Sequence, residues 1–152
     1  MPKIDIGALR GDVRRGYPPP HDEKVAGRSK KRLGDAVGLT QFGVNLTTLK
    51  PDSASSLRHW HENEDEFVYV LEGELTLIED DGETTLKAGD AAGFRAGVAN
   101  GHCLVNRSVG DAVFLEIGSR AARERAHYPD FDLAVVKDET GVSFARKDGT
   151  PL

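Results

Sequence analysis

Two histidines separated by one residue, His59 and His61, are the residues of this sequence best suited to chemistry. They begin the stretch H-W-H-E-N-E-D-E-F-V-Y-V-L-E-G. Because alternate side chains of a β-strand share a face, both imidazoles are expected to point the same way. Two imidazoles with a nearby carboxylate form a nitrogen and oxygen ligand set that suits Fe, Mn, Zn, Ni or Co. The stretch therefore predicts a site for one divalent transition metal.

The carboxylate that completes the set is one of four acidic residues that follow the histidines: Glu62, Glu64, Asp65 and Glu66. If one strand ran on unbroken, Asp65 would share the face of the histidines and Glu66 would not. A turn over residues 62–65 would reset the alternation, so that a new strand beginning at Glu66 lines the same interior with Val68 and Val70. Spacing alone leaves both choices open.

The composition is that of a single globular domain without affinity for nucleic acid. The chain has 152 residues, 38% hydrophobic and 30% charged, which favours one domain with its own core. A net charge of −5 argues against general binding to nucleic acid. The basic run over residues 28–32 contains no aromatic residue, and we interpret it as a solvated loop.

The sequence also bears on location and on covalent chemistry. No apolar run approaches the roughly 20 residues that a membrane span needs, so no membrane association is expected. The stretch over residues 1–16 lacks an apolar signal core, which makes the cytoplasm the expected location. The single cysteine, Cys103, excludes an internal disulfide and is expected to be a small packing residue rather than a nucleophile.

Short β-like runs broken by turn residues dominate the chain after residue 38. Residues 1–38 are rich in Gly, Pro and charge and are predicted to form an arm with little regular structure. The predicted strands lie at residues 39–49, 66–72, 74–79, 83–87, 103–106, 112–117, 131–137 and 142–146. We expect the second and third to form a hairpin around Gly73, and the Asp-Gly pair at Gly82 to form the next turn. One short helix is predicted, over residues 119–126.

Many short strands at close spacing predict an all-β fold, either an antiparallel sandwich or a barrel. This domain is predicted over residues 39–152, with an added C-terminal hairpin over residues 128–152. The strand that starts at Glu66 is apolar on both faces: Val68 and Val70 on one, and Phe67, Tyr69 and Leu71 on the other. It is therefore expected to be covered on both sides, the outer one by another sheet or a second subunit.

The spacing of the two histidines resembles the first sequence motif of the cupins. That motif is His, any residue, His, four residues, Glu, six residues and Gly. It matches His59, His61, Glu66 and Gly73 without a gap. The sequence is thus similar to the cupins at the residues that could bind a metal.

The second cupin motif is met with two departures. Its pattern is Gly, five residues, Pro-any-Gly, two residues, His, three residues and Asn, and the matching residues here are Gly89, Gly97, His102 and Asn106. Arg95 replaces the proline. Four residues rather than two separate Gly97 from the histidine, so that Asn100 stands where the histidine is usual. Because the spacing from His102 to Asn106 is intact, we assign the third histidine role to His102.

This resemblance implies a double-stranded β-helix, or jelly-roll, cupin barrel with its metal motifs within residues 53–118. It implies one divalent transition metal held by His59, His61, Glu66 and His102, with coordination positions open to water or substrate. Glu62, Glu64 and Asp65 are then interpreted as a solvated acidic turn. Small cupins with N-terminal arms and apolar outer faces commonly pair, which implies a homodimer.

Three further residues are candidates for contact with a small-molecule ligand. Arg95 and Asn100 are expected at the barrel mouth, where an arginine can bind a carboxylate or phosphate through two hydrogen bonds; a solvated loop arginine is the alternative. Glu116 is either a cavity residue that acts as acid or base or an exposed strand residue. Trp60 and Tyr69 are expected to face away from the metal.

Cupins include many enzyme classes and also binding modules, so the fold alone does not specify a function. The first hypothesis is a metal-dependent isomerase of a sugar or sugar phosphate, in which a carboxylate moves the proton. The second is an Fe(II)-dependent dioxygenase, because the same ligand set leaves room for O₂. The third is a non-enzymatic module that binds or senses a small ligand. The sequence does not discriminate between them.

Overall fold

The computed structural model describes residues 2–152, and β-strands account for most of its regular structure. The strands are β1 Arg28–Arg32, β2 Phe42–Leu49, β3 Trp60–His61, β4 Glu66–Glu72, β5 Glu74–Glu79, β6 Gly82–Lys87, β7 Ala91–Phe94, β8 Cys103–Val105, β9 Ala112–Ser119, β10 Glu124–His127, β11 Ala134–Asp138 and β12 Gly141–Ala145. A single turn of α-helix, α1 Leu33–Ala36, joins β1 to β2. Two 3₁₀ turns, Ile6–Ala8 and His21–Val25, precede β1. The predicted all-β jelly-roll fold is confirmed.

The strands form three antiparallel sheets whose inner faces enclose the core. In order across the sheets, these are β1-β2-β9-β4-β7, β12-β11-β10-β3 and β6-β5-β8. The main hydrophobic cluster joins the first sheet to the third, with Phe114 and Val70 of one against Leu75 and Leu104 of the other. A second cluster, centred on Leu57, closes the end formed by the remaining sheet. The polar site described below lies between these clusters.

Two local predictions are wrong because long-range pairing overrides them. The strands β4 and β5 do not pair as a hairpin: β4 pairs with β7 and β9, whereas β5 pairs with β6 and β8. Gly73, at φ +77°, instead turns the chain from one sheet into another. The helix predicted over residues 119–126 is absent from the described chain, because β9 extends to Ser119 and Glu124–His127 is a strand paired with β3 and β11.

The N-terminal arm is more regular than its composition indicates. Residues 28–32, interpreted as a solvated loop, form β1, which pairs with β2 from Arg28 opposite Leu49 to Arg32 opposite Asn45. The predicted C-terminal hairpin is present, since β11 and β12 pair antiparallel. The turn ending at Gly82 also forms as expected, between the paired strands β5 and β6.

The outer face of β4 is exposed in the single chain. Phe67, Tyr69 and Leu71 retain 42%, 39% and 41% of their accessible surface, whereas Val68 and Val70 are buried. The alternation predicted for this strand is therefore confirmed, and the homodimer that would cover its outer face stays a prediction. No helix in the described part of the chain has the length and apolarity that a membrane crossing needs.

Gly73 is the position where the fold tolerates a side chain least. A Cβ there would lie 2.7 Å from the carbonyl oxygen of Asp111, and the positive φ is itself unfavourable for other residues. We expect Gly73→Ala to lower the free energy of unfolding by at least about 1–3 kcal/mol. Gly110→Ala is the matched control, because its Cβ would meet open space. Urea denaturation of the two variants measures the difference, and equal stabilities would contradict the prediction.

Candidate metal centre

The backbone brings His102 to His59 directly. The two residues form an isolated antiparallel bridge, in which each backbone N–H donates to the other's carbonyl, at N···O distances of 3.1 and 2.9 Å. This pairing places both imidazoles on the inner side of the barrel and is unaffected by the longer loop between Gly97 and His102. The departure from the second cupin motif therefore leaves the histidine in place.

The turn after His61 resets the strand alternation in favour of Glu66. The strand β3 ends at His61, and β4 begins at Glu66 with its side chain on the same face as Val68 and Val70. Asp65 points elsewhere, since its carboxylate accepts the backbone N–H of Ala96 at 2.7 Å. The structure thus selects Glu66 from the acidic candidates.

Three imidazoles converge on the carboxylate of Glu66. Oε1 of Glu66 lies 3.5 Å from Nε2 of His59 and 3.2 Å from Nε2 of His61. Its other oxygen lies 2.6 Å from Nε2 of His102. His59 and His102 are buried, and the other two side chains are half-buried. The four residues predicted as metal ligands are therefore brought together, all with Nε2 or carboxylate oxygen atoms directed inward.

The opposite edges of two imidazole rings are held by oxygen acceptors. Nδ1 of His59 lies 2.8 Å from the carbonyl of Leu57, and Nδ1 of His102 lies 3.4 Å from that of Asn100. A histidine that donates Nδ1–H to a carbonyl directs the lone pair of Nε2 toward the other side. This orientation suits metal ligation through Nε2. The ring of His102 is also stacked on Phe94, at 3.6 Å between centroids.

The donor set fits a divalent transition metal. His59, His61 and Glu66 offer ligand atoms that all lie within 4.8 Å of one another. Neighbouring ligands of a metal bound at about 2.1 Å stand roughly 3–3.5 Å apart, which matches the separations around Oε1 of Glu66. Nitrogen and oxygen donors without thiolate are compatible with Fe, Mn, Zn, Ni or Co, and do not choose between them.

The carboxylate and the imidazoles of this cluster shift each other's pKa. Burial raises the pKa of Glu66, but hydrogen bonds from His102, His59 and His61 outweigh burial and hold the pKa of this carboxyl well below its usual range. Burial lowers the pKa of His61, but the hydrogen bond and charge of Glu66 outweigh it, and the pKa of His61 is raised. The pocket therefore favours an ionised carboxylate beside a positive charge, whether a proton or a metal cation.

Two acidic residues lie behind His61, of which Glu124 was not identified from the sequence. Glu64 and Glu124 form a second acidic group with His61, and their charges contribute to the raised pKa of that histidine. Glu124 is buried and accepts the backbone N–H groups of Glu62 and Asn63, at 2.9 and 3.0 Å. Glu64 had been interpreted as solvated, but its side chain is only 14% exposed. These carboxylates hold the turn that resets the strand alternation.

A cavity of about 600 Å³ opens from the ligand cluster. Glu116 lines it and is not an exposed strand residue, because its Oε1 lies 2.5 Å from Nζ of Lys30 and 3.2 Å from Nδ2 of Asn45. On the β4–β9 pair, Glu116 lies opposite Val68, one step diagonally from Glu66. The structure thus places a second carboxylate close to the cluster, where its predicted role as acid or base is sterically possible.

A smaller cavity of about 220 Å³ adjoins the opposite side of the cluster and includes Arg95 and Asn100. Arg95 is exposed. Asn100 uses its amide within the protein, donating to Glu79 and accepting the N–H of Asp80. Both residues lie near the metal ligands as predicted, but neither lines the larger cavity.

Other candidates have structural roles. Trp60 stacks on His127 at 4.2 Å between centroids, on the strand face opposite to that of His61. His21 packs on Phe131. Cys103 is buried, and burial raises the pKa of its thiol to about 11, which suits a packing residue and not a nucleophile. The predictions for Trp60 and Cys103 agree with the structure.

Comparisons with known proteins identify the fold and its relatives. The model of the cupin domain family matches residues 45–118. The crystal structure of a sugar phosphate isomerase of the cupin superfamily from Silicibacter pomeroyi matches with a TM-score of 0.95 and 48% identity, covering 99% of this chain and 96% of that one. A protein from Acidithiobacillus ferrooxidans, provisionally assigned as a sugar phosphate isomerase, matches with a TM-score of 0.76 and 30% identity, covering 84% and 82% of the two chains.

More distant structures share the fold alone. A polyketide cyclase from Streptomyces resistomycificus matches with a TM-score of 0.65 and 20% identity, over 78% of this chain and 79% of that one. No curated protein matches the sequence significantly. The match to the sugar phosphate isomerase structure from Silicibacter pomeroyi extends over nearly the whole of both chains.

Loss of one imidazole from the cluster should weaken metal binding. We expect His61→Ala to lower the affinity for Zn²⁺, Mn²⁺ or Ni²⁺ by at least about tenfold, because it removes one donor of the set. His127→Ala is the matched control, since this histidine faces away from the cluster on Trp60. Isothermal titration of both chelator-treated variants measures the affinity. Equal affinities of the two variants would exclude His61 as a ligand.

The stabilisation by metal should increase with pH. The raised pKa of His61 means that protons compete for its Nε2 at higher pH than for an ordinary histidine. In the metal-free protein, the His61–Glu66 pair contributes stability below the ordinary histidine pKa and loses it as the pH rises through the raised one. The difference in unfolding temperature between metal-loaded and chelated protein should therefore be larger at about pH 8 than at about pH 5. A pH-independent difference by calorimetry would refute this coupling.

Proposed function

This chain belongs to the cupin family, and we propose that it is a metal-dependent isomerase of a small sugar phosphate. The observation that carries the proposal is the convergence of His59, His61, His102 and Glu66 on the floor of a cavity large enough for such a ligand. The full-length similarity to a sugar phosphate isomerase, at 48% identity, supports this choice among the chemistries open to a cupin.

The reaction requires transfer of a proton between neighbouring carbons of a hydroxy-carbonyl pair. A divalent metal at the cluster supplies Lewis-acid polarisation of such a pair. His59 and His102 orient the site through rings fixed by packing and by their Nδ1 contacts. Tyr128 of the second cluster lines the same cavity, and its ring lies 5.8 Å from that of His59 between centroids.

Glu116 is the group proposed to move the proton. It lines the same cavity as the ligand cluster and lies on the β-strand next to that of Glu66. Diagonal neighbours on adjacent strands are about 7–8 Å apart, which leaves space for a substrate carbon between the two carboxylates. Lys30 and Asn45 hold the Glu116 carboxylate through contacts to Oε1, which leaves Oε2 available to take a substrate proton.

The proposal is tested by exchange of substrate protons with solvent. Metal-loaded protein is incubated in D₂O with pentose and hexose phosphates, and deuterium at C2 is followed by NMR together with the ketose product. We expect exchange that is lost on chelation. Protein that carries bound metal yet exchanges no C2 proton would rule the isomerase out, and oxygen uptake by anaerobically iron-loaded protein would assign a dioxygenase instead.

The role of Glu116 is tested separately. Glu116→Gln keeps the size and hydrogen-bonding capacity of the side chain but removes the base, so we expect exchange to slow by about 10²–10⁴-fold. Glu72→Gln is the control, because Glu72 is exposed at the end of β4. Metal content should be unchanged in both variants. Exchange at the wild-type rate in Glu116→Gln would assign the proton transfer to another group.

A further inference from the structure

The strand β1 turns a row of three cations toward the larger cavity. Arg28, Lys30 and Arg32 alternate along the strand and all line that cavity. The intervening Lys31 points away, and its Nζ donates to the carbonyl of Ile6. Because alternate residues share a face, the pairing of β1 with β2 converts a basic run into a one-sided basic surface.

The charge of the cavity wall differs from that of the whole molecule. Among the residues that the structure describes, the cationic side chains of the wall are balanced by carboxylates, since Arg32 pairs with Asp12 and Arg120 with Asp35 outside the lining. The cations are Arg28, Lys30, Arg32, Arg120 and Lys137, and the lining carboxylates are Glu64, Glu66 and Glu116. Of these cations, Arg28 alone has no carboxylate partner among residues 2–152. The whole chain has a net charge of −5. A divalent metal at Glu66 would add further positive charge to the wall. The cavity is thus suited to an anionic ligand in an otherwise acidic protein.

Arg28 and Lys30 have the capacity to bind that anion. The guanidinium of Arg28 donates to the carbonyls of Ser55, Arg14 and Arg15, and it pairs with no carboxylate among residues 2–152. Lys30 pairs with Glu116, which uses one of the three N–H donors of its ammonium. A half-buried cation without an anionic partner is unfavourable unless a ligand supplies the charge.

Free space connects this basic surface to the ligand cluster. On the inner face of the sheet, Gly43 lies opposite Gly118, which lies opposite Glu66. Both glycines line the cavity, and a Cβ on Gly118 would make only ordinary contacts, at 3.5 Å or more. The lack of a side chain at Gly118 leaves space beside Glu66, whereas the guanidinium of Arg120 lies over Gly43, 3.3 Å from the position of a Cβ. The cavity thus extends from the ligand cluster to β1.

We propose that Lys30, assisted by the charge of Arg28, is the subsite for the anionic group of the substrate. The anion is a phosphate or carboxylate at the end of a small sugar whose other end lies at the ligand cluster. This inference rests on the proposed function only in that the bound molecule is then isomerised. Binding of the anion at Lys30 does not depend on that reaction. It differs from the sequence-based expectation, in which Arg95, now seen beside the smaller cavity, was either an anion-binding residue or a solvated loop residue.

The subsite is tested by binding of three probes to metal-loaded protein: ribose 5-phosphate, ribonate and ribose. We expect Lys30→Gln to weaken binding of the preferred anionic probe by at least about tenfold, since hydrogen bonds to charged groups have this strength. Binding of ribose should change by less than about twofold, and Lys30→Arg should restore binding of the anion. Lys31→Gln is the matched control on the same strand, and metal content is measured in every variant.

The Lys30→Gln variant leaves Glu116 without its salt-bridge partner, and the free carboxylate could itself repel the anion. A double variant separates this effect from the loss of the ammonium. If Lys30→Gln acted only by exposing that carboxylate to the anion, Lys30→Gln combined with Glu116→Gln would recover wild-type affinity. We expect the double variant to remain weak, because the ammonium itself binds the anion. Recovery of affinity, or equal affinities of Lys30→Gln and Lys31→Gln for ribose 5-phosphate and ribonate, overturns the subsite. Selective loss of ribonate binding supports the subsite but contradicts a sugar phosphate substrate.

Discussion

The contact of one half-buried carboxylate, Glu66, with three imidazoles is the interaction on which the rest of the structure depends. A carboxylate removed from water is costly unless cationic or hydrogen-bonding partners replace its hydration. His59, His61 and His102 supply them from segments far apart in the sequence, and the barrel brings these segments together. The bridge between His59 and His102 and the turn held by Glu64 and Glu124 are both devices for keeping these partners in place.

The fold surrounds this cluster with two different environments. On the side of Phe114 and Val70, the first sheet packs against the third sheet in a core of buried hydrophobic side chains. On the other side, the inner face carries Glu116 and two glycines, so the sheet loses packing there and leaves a cavity. The inner face of the first sheet is therefore packed in one part and lines a cavity for a ligand in the other. The strand β1 contributes to the fold and to the cavity. It extends the first sheet, and it supplies cations to the cavity wall.

The parts of the site that follow from local periodicity could be predicted from the sequence. Alternation along a strand placed His59 with His61 and turned Trp60 away, as the structure has them. The motif spacing pointed to His102 despite its longer loop, and the structure brings this histidine to Glu66. Predictions failed where distant pairing decides the conformation. Residues 119–126 have weak helical periodicity, but β10 is stabilised by β3 and β11. The basic run over residues 28–32 shows alternation only when β2 is known to lie beside it.

The sequence by itself determined the class of fold, the three histidines of the cluster and the turns at which glycine is required, because these depend on side-chain chemistry and on short-range spacing. The tertiary structure alone decided which acidic residue joins the histidines, that Glu116 lies in the same cavity, and that Lys30 faces it. These relations depend on the register between strands that are many residues apart. Register is set by the burial of whole sheet faces, which no local stretch of the chain contains.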